Sequence, residues 1–253
     1  LVRADADPAC GTLTLYLDRA GLILVACYFS PQNSNLYVSG QLTHDPVLQL
    51  QAHLLALRAQ GLPVLLIGDL NARAGSLSEW DGADDGAAAP ALPPPSSWPE
   101  IPRTRCSKDG KVNDWGLMLM SVLAECGMVM LNGRAPGDAA GCVTCRGHFR
   151  KIGDHRVTGS SDHGGSAVDV AAVSYGLYAS VESFTVGPEY DALLHAPISL
   201  KLRARSGAAR SSAAAGAAEL ERLRPIRPRP ASMPAYMAAM SNAQSCGLFE
   251  QLR

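Results

Sequence analysis

The 253-residue sequence contains no apolar run long enough to cross a bilayer; its longest runs, such as "GLILVACYF" (21–29), have the length of a strand. No membrane helix is therefore expected. The N-terminal stretch "LVRADADPACGTLTLYL" has neither the basic nor the apolar region of a signal peptide, and it reads as a chain that begins within a domain. An intracellular protein is expected. Charge, at an ordinary 18%, has no excess of either sign: the net −1 neither demands nor excludes a polyanionic partner, because a basic face can hide in a neutral total. No internal repeat of fixed period is present. A disulfide framework is also missing: the seven cysteines are odd in number and scattered through strand-like and helix-like segments, as reduced thiols would be. Cys142 and Cys145 form one CxxC. A structural zinc site needs four ligands, and no second CxxC completes it; His148 and His155 are the nearest candidates. The favoured reading makes both cysteines small core residues flanking Thr144.

What is present is an alternation of strand and helix patterns. "TLTLYL" (12–17) and "LILVACYF" (22–29) flank the turn "DRAG" and read as a hairpin. "PVLQLQAHLLALRAQG" (46–61) has leucines at helical spacing, Pro46 near its start and Gly61 as its stop. Pro63 to Ile67 follows as a strand. "DWGLMLMSVLAECG" (114–127) predicts a second helix capped by Asn113 or Asp114 and stopped by Gly127. "MVMLNG", "CVTC", "SAVDVAAVS", "VESFTV" and "APISLKL" are read as strands. Residues 81–103 are a Pro/Ala-rich surface loop. The pattern gives an α/β (α+β) domain over 1–203. Residues 204–253, rich in Arg, Ala and Pro, follow as a linker with short helices.

Chemistry concentrates at strand ends. Gly68, Asp69, Leu70 and Asn71 close the strand after Ile67, a place where α/β proteins put functional side chains; by itself the pair also fits an Asx turn. Asp169 sits inside an apolar strand, where a carboxylate without a partner is costly. His195 opens the strand "HAPISLKL". An Asp that orients a His, with a second Asp and an Asn, suits the activation of water against a phosphodiester.

In the order "VACYFSP", "LLIGDLNARAG", "GCVTC", "SAVDVAAVS", "HAPISLKL", the chain resembles the endonuclease/exonuclease/phosphatase (DNase I-like) superfamily. The unit "NDWGLMLMSVLAECGMVMLNGR" resembles the version found in non-LTR retrotransposons. The resemblance implies a four-layer αββα sandwich with two packed mixed β-sheets, here lacking the N-terminal first strand and helix. It also implies a Mg²⁺-dependent (or Mn²⁺-dependent) endonuclease that hydrolyses DNA to leave a 3′-hydroxyl, with a reverse transcriptase domain downstream and a nuclear location. Position by position, it makes Tyr28 the tyrosine that touches the scissile phosphate. Asp69 becomes the aspartate that orients water or protonates the leaving oxygen, and Asn71 the amide that holds a phosphate oxygen. Asp69 and Asn71 serve the metal, Thr144 lines the substrate pocket, and Asp169 is the buried partner of the catalytic His195.

Two departures from the family pattern predict a weakened enzyme. The family's metal-binding glutamate has no counterpart among the first strands, Asp5 and Asp7 preceding them without the pattern. Leu193-Leu194-His195 stands where the family has Ser-Asp-His. "SSDHGG" (160–165) carries that tripeptide before the Asp169 strand, and Asp162 and His163 are read as loop residues. The competing expectations are an inactive relic that at most binds nucleic acid, and a phosphoinositide or sphingolipid phosphatase of the same superfamily. The Arg-rich tail is read as a linker, with contact to a phosphate backbone as its alternative.

Overall fold

The computed structural model describes residues 2–7, 11–18, 20–32, 34–38, 40, 45–80, 101–145, 147–152, 155–160, 165–187 and 194–203, all within the compact unit Leu1–Arg203. The Arg-rich tail, most of the 81–103 loop, and Asp162 and His163 lie outside the described residues. So do the side chains of His148 and His155, and with them the test of a histidine-completed zinc site.

The elements run β1 (Val2–Asp7), β2 (Thr12–Leu17), β3 (Leu22–Tyr28), α1 (Asn35–Val38), α2 (Pro46–Arg58), β4 (Val64–Asp69), α3 (Asp114–Cys126) and β5 (Met128–Met130). Then come β6 (Gly147–Ile152), β7 (His155–Ser160), β8 (Asp169–Ser174), α4 (Tyr175–Tyr178), β9 (Val181–Val186) and β10 (Ile198–Leu202). Six strands form a mixed sheet in the order β1-β2-β3-β4-β8-β5. β3 and β4 are parallel and joined through α2, whereas β8 enters between β4 and β5 antiparallel to both. β9 and β10 form a second, two-stranded antiparallel sheet.

The sheet is apolar on both faces, which is why β3, β4 and β8 read as nearly continuous hydrophobic runs. On one face Ile23, Val25, Leu66 and Val170 pack against Leu50, Leu54 and Leu57 of α2 and Leu119 and Leu123 of α3. On the other face Leu65, Val129, Ala171 and Val173 meet Phe184 and Val181 of β9, with Ile198 and Leu200 of β10 packed behind them. Each large side chain buried this way contributes about 1.5–3 kcal/mol. The result is a mixed α/β fold of helices, large sheet and small sheet. Within the described residues the second sheet has two strands, and the short α4 lies against β8 and β5 of the large sheet.

Local signals set the helix ends. Asp45 caps α2 by accepting from the Val47 amide at 2.8 Å, with Pro46 in the first turn, where its missing N–H costs nothing. Asn113 caps α3 through the Gly116 amide at 2.8 Å, and Gly127 ends that helix in the left-handed region at φ 66°.

Three elements depart from the sequence reading. Val2–Asp7 is an edge strand paired with β2, although its Asp-rich, Ala-rich composition is unfavourable for strands; Asp5 and Asp7 therefore lie within the first strand and not before it. "CVTC" is not a strand: Cys145 makes isolated bridges to Ser166 and His195, and the Cys142 amide is taken by the Asp138 carboxylate at 2.8 Å. The β6-β7 hairpin carries no clear strand signal in the sequence, because its charged residues mask any alternation.

Candidate active site

The antiparallel meeting of β4 and β8 puts Asp69 directly opposite Asp169, and the parallel meeting of β3 and β4 puts Tyr28 opposite Asp69. Residues paired across strands share a face, so Tyr28, Asp69 and Asp169 form a row across the end of the sheet. His195 reaches this row from the segment entering β10, held by a bridge to Cys145 and by the Ala196 amide donating to the Thr144 carbonyl at 2.7 Å. Its Nδ1 lies 2.8 Å from Asp169 Oδ2 and its Nε2 lies 4.0 Å from Asp69 Oδ2. One ligand atom from each of Asp69, Asp169 and His195 falls within a 4.8 Å group.

Gly68 is required for this arrangement. Its φ is 152°, and a Cβ there would stand 1.9 Å from the Cys27 carbonyl oxygen. Glycine lets β4 press against β3 and deliver Asp69 beside Tyr28. Asn71 adopts the left-handed region at φ 47°, which asparagine tolerates better than most residues. Its backbone amide donates to Asp69 Oδ1 at 3.1 Å, and its Nδ2 donates to the Phe29 carbonyl at 2.7 Å. The Asx turn is therefore real, and it coexists with the cluster: it fixes the Asp69 rotamer while leaving the Asn71 side-chain oxygen and a second N–H uncommitted by that bond.

The electrostatics follow from crowding. Burial, and after it the neighbouring Asp169 carboxylate, pushes Asp69 up to about 6, against the pull of the Asn71 amide and of His195. The hydrogen bond to Asp169, and after it that to Cys145, pushes His195 up to about 10, so its ring is an imidazolium at neutral pH. Tyr28 is 41% exposed. Burial of the rest of its side chain and the Asp69 charge raise its pKa, keeping the hydroxyl protonated.

The residues expected at the site do not all face it. Thr144 is 0% exposed, and its hydroxyl accepts from the Val168 and Asp169 amides at 3.1 and 3.0 Å. It orients the start of β8 and does not line an open pocket. Leu194 precedes His195 and offers no polar atom to the row. Among the described residues the cysteines join no group of three metal-ligating side chains.

No protein-family model matches the sequence, and no curated protein matches it. Solved structures similar to the chain include two endonucleases and an exonuclease. The endonuclease domain of TRAS1, a telomere-specific non-LTR retrotransposon, shares 18% identity at a TM-score of 0.44, with 81% of this chain and 70% of that chain covered. The 3′-5′ exonuclease NExo from Neisseria meningitidis shares 13% at 0.46, covering 76% and 64%. The AP endonuclease LMAP from Leishmania major shares 14% at 0.48, covering 76% and 54%, so this chain spans about half of that enzyme's length.

Several site-building residues carry no signal in the sequence that marks them out. Asn132 mimics a strand partner, its Nδ2 donating to the Asp169 carbonyl at 3.0 Å and its Oδ1 accepting from the Ala171 amide at 3.0 Å. Asn113, read only as a helix cap, also donates from Nδ2 to the Asn71 carbonyl at 2.9 Å. Both are polar residues beside apolar runs, a pattern that fits many roles.

Proposed function

We propose that the chain is a retrotransposon-type endonuclease domain that hydrolyses DNA phosphodiesters with Mg²⁺, and that its activity is weakened. The reading rests on the row Tyr28–Asp69–Asp169 with His195 hydrogen-bonded to Asp169. Asp69, ionised above pH 6 and held by Asn71, accepts the proton of an attacking water; a base whose pKa lies close to the working pH is well placed for this. His195, kept cationic by Asp169, donates to a non-bridging phosphate oxygen as negative charge builds there. The Tyr28 hydroxyl donates to a second phosphate oxygen, and an Asn71 N–H left free of the Phe29 bond donates to a third. As the water oxygen bonds to phosphorus the P–O3′ bond breaks, and the departing 3′-oxygen takes a proton from solvent to become the 3′-hydroxyl.

The donor set fits a hard cation: the Asp69 carboxylate and the Asn71 amide oxygen would hold Mg²⁺, which takes few protein oxygens and keeps several waters. When bound, the ion supplies counter-charge to the phosphate. Asp169 is already committed to His195, and Leu194 adds no ligand, so a single carboxylate serves the cation. That is the reason for a weakened enzyme, and it also supports the second reading, an inactive relic that binds nucleic acid. Action on DNA would place the protein in the nucleus, with a reverse transcriptase downstream in the full polypeptide; the division into a nuclease domain at 1–203 and a linker at 204–253 belongs to the same proposal.

Plasmid nicking with Mg²⁺ tests it. The parent is expected to nick slowly, Asp69→Ala to lose at least about a hundredfold, and Leu194→Asp to nick faster than the parent. Equal rates for the parent and Asp69→Ala would overturn the site assignment. A parent that never nicks and that Leu194→Asp fails to restore would establish the relic.

A further inference from the structure

Asp109 is 2% exposed and lies in the loop before α3. Its Oδ2 accepts from Arg73 Nε at 2.9 Å and from the Ala167 amide at 3.0 Å. Its Oδ1 accepts from an Arg73 terminal nitrogen at 2.5 Å and from the Lys111 amide at 3.1 Å. Burial would raise its pKa, but the Arg73 guanidinium and the two amides together hold it below the usual carboxylate range. Asp109 is thus a buried anion with both oxygens saturated, and none of the chemistry proposed above uses it.

Its partners explain where it acts. Arg73 follows Asn71 by two positions, and Ala167 precedes Asp169 by two. One wall of the site leaves β4 through Arg73, and the other enters β8 through Ala167. We propose that Asp109 is a positioning residue that fixes the Asp69–Asn71 wall against the Asp169 wall, through a bidentate grip on Arg73 and a single bond to the Ala167 amide. The loop's other contacts reinforce the first grip: Asn113 Oδ1 accepts from the Arg73 amide at 2.9 Å while its Nδ2 holds the Asn71 carbonyl. Asp109 is braced in turn, its own amide donating to the Ser107 hydroxyl at 3.1 Å. A carboxylate is needed because the planar fork of arginine binds two oxygens at once. An amide in the same place keeps the shape and loses that grip. The role in hydrolysis rests on the proposed nuclease reading; the coupling of the two walls does not.

Two measurements on the full chain separate these. In metal-free protein, amide hydrogen exchange is followed in the wild type, in Asp109→Asn, and in Arg73→Lys, which leaves the Asp109 acceptors in place should the first variant fold poorly. The Asn71, Arg73, Val168 and Asp169 amides do not bond to Asp109, yet all are expected to exchange about tenfold faster together, with β2 and β3 unchanged. Acceleration confined to Ala167 and Lys111, the amides bonded to Asp109, would overturn the proposal. In plasmid nicking, kcat is expected to fall about tenfold to a hundredfold in Asp109→Asn with KM held within about twofold, the pattern of misplaced groups and not of lost binding. A rise in KM with kcat unchanged would overturn the positioning role. A wild type that does not nick overturns the nuclease reading instead, and the exchange result then decides the wall coupling.

Discussion

Glu79 and Asp69 are both carboxylates set beside a cation, Arg134 in one case and His195 in the other. The Glu79 and Arg134 side chains are both 0% exposed and 2.9 Å apart. Glu79 Oε1 accepts from the Met130 amide at 2.6 Å, and Arg134 packs 4.9 Å from the Trp80 ring centroid. Asp69 is 18% exposed on its side chain, shares its space with a second carboxylate, and stands 4.0 Å from the His195 nitrogen. In the first pair each charge meets an opposite charge and further fixed protein partners, with one buried nitrogen, Arg134 Nε, left without an acceptor, so the pair serves the fold. In the second, bonding capacity is left over and the like charges repel, and a ligand that brings cationic charge or proton-bearing groups would relieve both.

The contrast is sharpest for stability at the buried pair. Glu79→Ala strands the Arg134 guanidinium in the core and is expected to cost about 3–5 kcal/mol in denaturant unfolding. A loss below about 1 kcal/mol would put Glu79 in the same class as Asp69. Asp69→Asn is expected to act in the opposite sense on the two observables. Nicking falls roughly a hundredfold, equivalent to about 3 kcal/mol, while stability rises by about 1 kcal/mol because the crowded charge is removed. If stability falls instead, Asp69 is a structural residue.

Gly68→Ala should lower both observables, since the added Cβ meets the Cys27 backbone at 1.9 Å; strain of this kind costs about 1–3 kcal/mol. A thermal melt with a nicking assay on the same sample checks it. The smallest effect is a pH dependence. His195 is raised from its ordinary 6.5 to about 10, so its stabilising contribution is complete below pH 6.5 and is lost as pH rises through 10. Metal-free unfolding free energy should decline across that window, and His195→Gln should flatten the decline. Solvent screening keeps the amplitude small, because the ring is 41% exposed.

Periodicity and punctuation made much of the fold legible. Leucine spacing with Pro46 and Gly61 located α2, the Asn113 and Gly127 stops located α3, and the apolar runs located β3, β4 and β8. The edge strand Val2–Asp7 escaped because charged and alanine residues at an edge gain their order from pairing with β2 and not from propensity. At the site, motif order pointed to Tyr28, Asp69, Asn71, Asp169 and His195, and the geometry brings these together. Thr144 was expected in the pocket and is instead buried under β8, since spacing along a chain does not report which way a hydroxyl faces.

Residue chemistry by itself determined that a carboxylate, an amide and a glycine had to cluster where β4 ends, because Gly68 and Asn71 are the residue types that such backbone angles admit. Only the tertiary structure decided that Asp69 would face Asp169, since an antiparallel register between strands a hundred positions apart is set by packing on both faces of the sheet. The same holds for Asp109. Nothing local distinguishes it from a solvated loop aspartate until the fold encloses it between Arg73 and Ala167, where a buried carboxylate persists only if every oxygen finds a donor.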